Sequence, residues 1–305
     1  MNLLYGITVA MITPITPENR VDFEKMQQLT EFLIQKGVNC LYVCGTDGEM
    51  FHLTAEERMK LAETVVQTAA GRVIVYIHCG AMLQDETIRL MRHAESIGAD
   101  GAGVVTPAYF PVNDREMEQY YLTISQYVSN TFPIYFYNIP QCAANDLKPE
   151  VAQRIVNQRS NIVGIKYNYP SINQTLDDTN INHGAFSVLQ GDDRTLPAWL
   201  ALGCYGSVAG SANVFPEPLI ASYAAFRQGD LEKALAYGKM AARFVDAMHG
   251  DNIAYFKAAL RIRGLDVGTM RPPLLSVTRE EYQQLQRELE KICAQTGISL
   301  KISTV

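Results

Sequence analysis

The sequence lacks a long apolar run. No stretch approaches the roughly 20 residues that cross a bilayer. The opening Met1-Asn2-Leu3-Leu4 has neither a basic segment nor an extended apolar one. No membrane anchor and no secretion are therefore expected. Basic charge is also scarce: 26 Lys and Arg against 32 Asp and Glu leave a net charge of −6. A nucleic-acid binder would show a basic stripe instead. CxxC pairs are missing. Cys40, Cys44, Cys79, Cys142, Cys204 and Cys293 are scattered over 305 residues, the pattern of reduced thiols in a cytoplasmic protein rather than of a disulfide framework. His52, His78, His93, His183 and His249 have no ligand spacing. His78-Cys79 comes nearest, and two adjacent ligands make a poor metal site. No metal and no other cofactor is expected.

What is present is a rhythm. Apolar, β-prone runs begin at Tyr5, Asn39, Arg72, Gly101, Pro133, Ile162, Phe186 and Cys204. Helical patterns fall between most of them: from Asp22 to near Gly37, Thr54 to about Ala70, Gln84 to Ile97, Asp114 to Asn130, Pro149 to Gln158 and Pro197 to Leu202. Thr54 with Glu57 reads as a capping box. The period, about 30 residues, is that of a βα unit. The runs are apolar along most of their length, as parallel strands buried on both faces are. The fold class expected is α/β, a (β/α)8 TIM barrel with a C-terminal helical extension. A doubly wound open sheet would want a Gly-rich turn after the first strand, where this chain has Thr13-Pro14-Ile15-Thr16-Pro17. Beyond Phe215 only helical spacing continues, over Leu219–Phe226, Leu231–Met248, Ile253–Arg263 and Arg279–Thr296. The division expected is a barrel over 1–228 and a helical bundle over 229–305 packed on it.

One strand stands out, Ile162-Val163-Gly164-Ile165-Lys166. Side chains alternate along a strand, so Gly164 leaves space beside the lysine stem on the lysine's own face. Burial disfavours the charged amine, and a neutral amine is a nucleophile for ketones and aldehydes. In a barrel of this kind chemistry sits at the C-terminal strand ends. Those ends supply Gly45-Thr46-Asp47-Gly48-Glu49, Thr106-Pro107-Ala108-Tyr109, Tyr137-Asn138-Ile139-Pro140, Lys166, Gly191-Asp192-Asp193-Arg194 and Gly206 to Ser211. A lysine, two tyrosines and a Gly-flanked turn are the parts that imine chemistry requires. A tyrosine can shuttle protons, and backbone N–H groups of such a turn can hold a carboxylate.

Four of these features resemble the dihydrodipicolinate synthase / N-acetylneuraminate lyase family of pyruvate-dependent class I aldolases: the turn Gly45–Glu49 (family pattern G-[ST]-T-G-E), Thr106-Pro107 with Tyr109, Tyr137-Asn138-Ile139-Pro140, and Gly164-Ile165-Lys166. The resemblance covers the barrel and extends to the helical C-terminus. It implies that Lys166 forms the Schiff base, that Tyr137 shuttles protons and that Thr46 and Tyr109 form its relay, with Tyr109 reaching a neighbouring subunit's site. It also implies a homotetramer, a dimer of dimers, and carboxylate binding by the backbone at Thr46 and Asp47. Gly191, Asp193, Arg194, Cys142 and Ser211 are the positions expected around the second substrate.

The departures carry information too. The second hydroxyl of the family's turn is Asp47 here, a carboxylate that repels a 2-oxo acid if it faces the site. Cys142 stands where dihydrodipicolinate synthase has an arginine for a distal carboxylate, which argues against that activity. Asp193-Arg194 replaces the Asp-Glu of N-acetylneuraminate lyase, which argues against sialic acid, and Arg194 is expected to meet an acidic group on the second substrate. The function expected is a cofactor-free lyase that joins or separates a 2-oxo acid and an aldehyde. The alternatives are a dehydratase or deaminase acting through the same imine on a 2-oxo-3-deoxy sugar acid, and a non-catalytic 2-oxo-acid sensor.

Overall fold

The computed structural model describes residues 1–250 and 252–302. Eight strands, β1 (Gly6–Ala10), β2 (Cys40–Val43), β3 (Ile74–His78), β4 (Gly101–Val105), β5 (Ile134–Asn138), β6 (Ile162–Tyr167), β7 (Ser187–Gln190) and β8 (Gly206–Ala209), pair in parallel in chain order. β8 returns to β1, with Gly6 opposite Gly206, and closes the barrel. Around it run α1 (Phe23–Gln35), α2 (Ala55–Ala69), α3 (Gln84–Ser96), α4 (Asp114–Ile124), α5 (Pro140–Ala143), α6 (Pro149–Val156), α7 (Ile172–Thr179), α8 (Leu196–Ala201) and α9 (Pro216–Arg227). α10 (Leu231–Ala247), α11 (Ile253–Arg263) and α12 (Arg279–Thr296) follow. The architecture is the TIM barrel that the alternation of strand and helix implied.

The local reasons are visible. Thr54 and Glu57 make the reciprocal capping bonds that start α2. Two differences from the sequence reading have physical causes. The helix expected up to Asn130 stops at Ile124 and tightens into a 3₁₀ turn, and the Asn161 amide donates to the carbonyls of Ser125 and Ser129. α5 and α7, unassigned from the sequence, are short helices started by Pro140 and by Ser171, whose hydroxyl accepts from Gln174 N.

The barrel interior is aromatic. Tyr42, Tyr76 and Tyr135 pack there with Leu189 and Val208, and the Tyr76 and Tyr135 rings meet edge to face at 5.3 Å. Gly164 does leave space on the inner face, and Tyr135 fills it: a Cβ at Gly164 would come within 2.3 Å of that ring. The helices after β8 are anchored by Arg263. It is fully buried, lies 4.4 Å over the Phe215 ring, and donates to Val214 O and Glu217. Among the described residues no helix is long and apolar enough to cross a membrane.

Candidate active site

β5 and β6 are in register with Tyr137 opposite Lys166, which brings the two inward side chains together. Lys166 is only 4% exposed. Its Nζ lies 4.1 Å from the Tyr137 ring centroid and 5.2 Å from that of Tyr42. Tyr137 is buried, and its hydroxyl is 2.8 Å from Thr46 Oγ1. Thr46 is held by the turn after β2, where Glu49 N donates to Thr46 O and Met50 N to Gly45 O. Burial raises the Tyr137 pKa, while Lys166 and the Thr46 hydrogen bond favour its ionised form.

His78 stands behind this pair, edge to face with Tyr137 at 5.6 Å. Its Nε2 accepts from Val105 N. Burial, with Arg58 and then Lys166 acting in the same direction, holds the imidazole well below its ordinary pKa and therefore neutral. Among the described residues no three His, Cys, Asp or Glu side chains gather as a metal set.

A cavity of about 200 Å³ opens over Lys166. Thr46, Asp47, Tyr137, Cys142 and Gly191 line it as the sequence placed them. The Asp47 carboxylate lies at the Gly210 side of the wall, where a Cβ on Gly210 would come within 2.5 Å of Oδ2. Burial raises the pKa of Cys142; Lys166 opposes the rise and the Asp47 charge adds to it.

Other expected residues lie elsewhere. Arg194 does not line the cavity; its guanidinium pairs with Asp246 of α10 at 2.7 Å. Asp193 turns to the end of β8, accepting from Ser211 N at 2.9 Å and Ser211 Oγ at 2.6 Å, so neither Asp193 nor Ser211 is in the cavity wall. Tyr109 is 74% exposed at φ +74°, edge to face with Phe110.

Three wall residues were missed. Asn168 lies two positions beyond Lys166, on its face of the strand, and that spacing was a usable signal. Gln141 follows Pro140 in α5 and donates to Asn168 O. Ile253 arrives from α11 with no local signal at all.

A buried lysine at a strand end, under a tyrosine–threonine pair at the mouth of a (β/α)8 barrel, is an arrangement that can support the chemistry of a Schiff-base lyase. The model of the dihydrodipicolinate synthetase family matches residues 3–292. The chain is 34% identical over 288 residues to YjhH of Escherichia coli, a probable 2-dehydro-3-deoxy-D-pentonate aldolase, covering 92% of this chain and 94% of that one. It is also 34% identical over 281 residues to 4-hydroxy-tetrahydrodipicolinate synthase 1 of Halalkalibacterium halodurans, with coverage of 92% and 94%. Among solved structures, YagE of Escherichia coli in complex with pyruvate superposes with a TM-score of 0.90 at 30% identity, covering 95% of this chain and 99% of that one. The chain belongs to the dihydrodipicolinate synthetase family, and it is a class I aldolase-type lyase that forms or cleaves a carbon–carbon bond.

Proposed function

We propose that the cavity binds pyruvate, or a 2-oxo acid containing it, as an imine on Lys166, and exchanges it with a neutral hydroxyaldehyde. The observation that carries this is the buried Lys166 amine over the Tyr137 ring, with the Tyr137 hydroxyl 2.8 Å from Thr46. In the cleavage direction Nζ attacks C2 of the 2-oxo acid and water leaves to give the iminium. The C4 hydroxyl loses its proton to the Tyr137–Thr46 pair. The C3–C4 bond breaks, its electrons pass into the iminium as an enamine, and the aldehyde departs. Protonation at C3 and hydrolysis then release pyruvate and the free lysine. The turn backbone at Thr46 and Asp47 takes the carboxylate.

The rest of the wall supports the aldehyde assignment. Gln141 and Asn168 present amides beside Gly191, and Asp47 presents a carboxylate. Among the described residues Lys166 is the only basic side chain in the wall. A second carboxylate on the substrate would find Asp47 and no cation, whereas hydroxyl groups would find donors and acceptors. The names of YjhH and YagE's ligand are consistent with a sugar-acid product and pyruvate. The test is a carbon–carbon bond-formation assay with pyruvate and either glycolaldehyde, glyceraldehyde or aspartate semialdehyde. Turnover is expected with the first two. Preference for the semialdehyde would refute the hydroxyaldehyde assignment.

A second reading rests on Asp47. A carboxylate beside the imine can take a proton from C3 of a 2-oxo-3-deoxy sugar acid and expel a hydroxyl as water. Product analysis separates the two, since dehydration releases no aldehyde.

We further propose a cytoplasmic homotetramer in which Tyr109 meets a partner subunit. Tyr109 and Phe110 are 74% and 69% exposed, and a non-glycine residue held at φ +74° marks a conformation kept for a purpose. A stable monomer in sedimentation at micromolar concentration would refute this.

A further inference from the structure

We infer that Lys257 of α11, outside the cavity wall, is a positioning residue that sets the 2-oxo-acid turn through Glu49. The inference rests on the reading that this turn holds the substrate carboxylate.

The Glu49 carboxylate reaches beyond its own turn. It is fully buried, at the end of the turn and in the left-handed region at φ +57°. Oε1 accepts from Lys257 Nζ at 2.6 Å and Oε2 from Arg271 N at 3.0 Å. Lys257 Nζ is itself fixed by Thr269 O at 2.7 Å. The Arg271 side chain grips the same region, with two bonds to Glu57 and others to the carbonyls of His52 and Asn19. The last residue of the turn is therefore held from both sides by the segment 257–271.

Glu49 N closes the turn on Thr46 O at 2.9 Å, and the Thr46 hydroxyl reaches Tyr137 on the cavity side. One connected path thus runs from Lys257 to Glu49, Thr46 and Tyr137. A buried carboxylate that loses the cation bonded to it is destabilised where it lies, so loss of Lys257 shifts Glu49, and with it the turn. Such a shift acts on the carboxylate site and not on the amide wall at Gln141 and Asn168.

The structure supplies an unusual test. A half-open cavity of about 400 Å³ between α11 and α12 has Lys257 in its wall, with Ala254, Ala258 and Tyr282. Lys257→Ala leaves a slot that n-propylammonium can enter from this cavity. The measurement is borohydride trapping of pyruvate on the enzyme, read as the half-saturating pyruvate concentration, together with KM for the aldehyde. In Lys257→Ala the pyruvate half-saturation is expected to rise tenfold or more, aldehyde KM to stay within twofold, and n-propylammonium to restore at least half of the loss. A folded variant with unchanged pyruvate half-saturation overturns the inference. So does a joint loss in both substrates that the amine does not reverse. If Lys257→Ala does not fold, Glu49→Gln, neutral and of equal size, is expected to show the same pyruvate-selective rise, and an unchanged value overturns the inference. Failure of the wild type to trap pyruvate would overturn the parent reading and this one with it. Trapping by the wild type with unshifted variants overturns this one alone.

Discussion

Tyr137 and Thr46 are 91 positions apart in the chain, yet their hydroxyls lie 2.8 Å from one another. The pair joins the end of β5 to the turn after β2, and Lys166 sits against the Tyr137 ring below it. A proton leaving the substrate can pass to Tyr137 and be shared with Thr46 without water entering the cavity. Thr46→Val keeps the shape and removes the hydrogen bond. Turnover is expected to fall by about one to two orders of magnitude, and in Tyr137→Phe by about 10²–10⁴, the usual range for a positioned acid–base group. Steady-state kinetics on both variants check this.

Gly210 is where Asp47 finds its place. A Cβ there would come within 2.5 Å of Asp47 Oδ2 and 2.8 Å of Phe256 Cε2. Gly210→Ala must therefore displace the carboxylate from its place. A stability loss of about 1–3 kcal/mol is expected from overpacking, together with a larger loss of pyruvate adduct than Asp47→Asn shows. Thermal melts and trapping yields on the two variants check this.

Arg194 makes the opposite prediction. Its ion pair with Asp246 is on the surface, the two side chains 56% and 51% exposed, and such pairs contribute about 0–1 kcal/mol. Arg194→Ala is expected to leave both the substrate profile over acidic and neutral aldehydes and the turnover unchanged. A selective loss for acidic aldehydes would return Arg194 to the substrate.

Much of this was legible in the sequence because β-strands and their ends are local. The strand starts read from apolar runs fall within two residues of those observed, and the motif residues Thr46, Tyr137 and Lys166 converge because each closes a strand of one barrel. What was not legible depends on long-range placement. Nothing near Arg194 announces Asp246, which reaches it from α10, and nothing near Glu49 announces Lys257, 208 positions on. Gly164 was read as room for the lysine stem, but the tenant is Tyr135 from the neighbouring strand. α5 has four residues, too few to show a helical period.

Asp178 gives a pH prediction. It is fully buried in α7, and among the described residues neither carboxylate oxygen has a hydrogen-bond partner. Burial raises its pKa to about 8, with Asp146, Asp177 and Glu150 adding to the effect. The folded pKa is above the unfolded one, so the stability linked to this proton is complete below about 4 and is lost as pH rises through about 8. In that window each pH unit removes at most about 1.4 kcal/mol. Asp178→Asn is expected to flatten the decline between pH 5 and 8. Denaturant melts across that range check it, and equal slopes in variant and wild type would contradict it.

Lys166 is expected to carry the substrate. Borohydride trapping with pyruvate, followed by intact mass of the wild type and of Lys166→Ala, tests it most directly. An added mass equal to a reduced pyruvyl group is expected in the wild type and none in the variant. An adduct that persists in Lys166→Ala, or no adduct with pyruvate or any longer 2-oxo acid in the wild type, would contradict it.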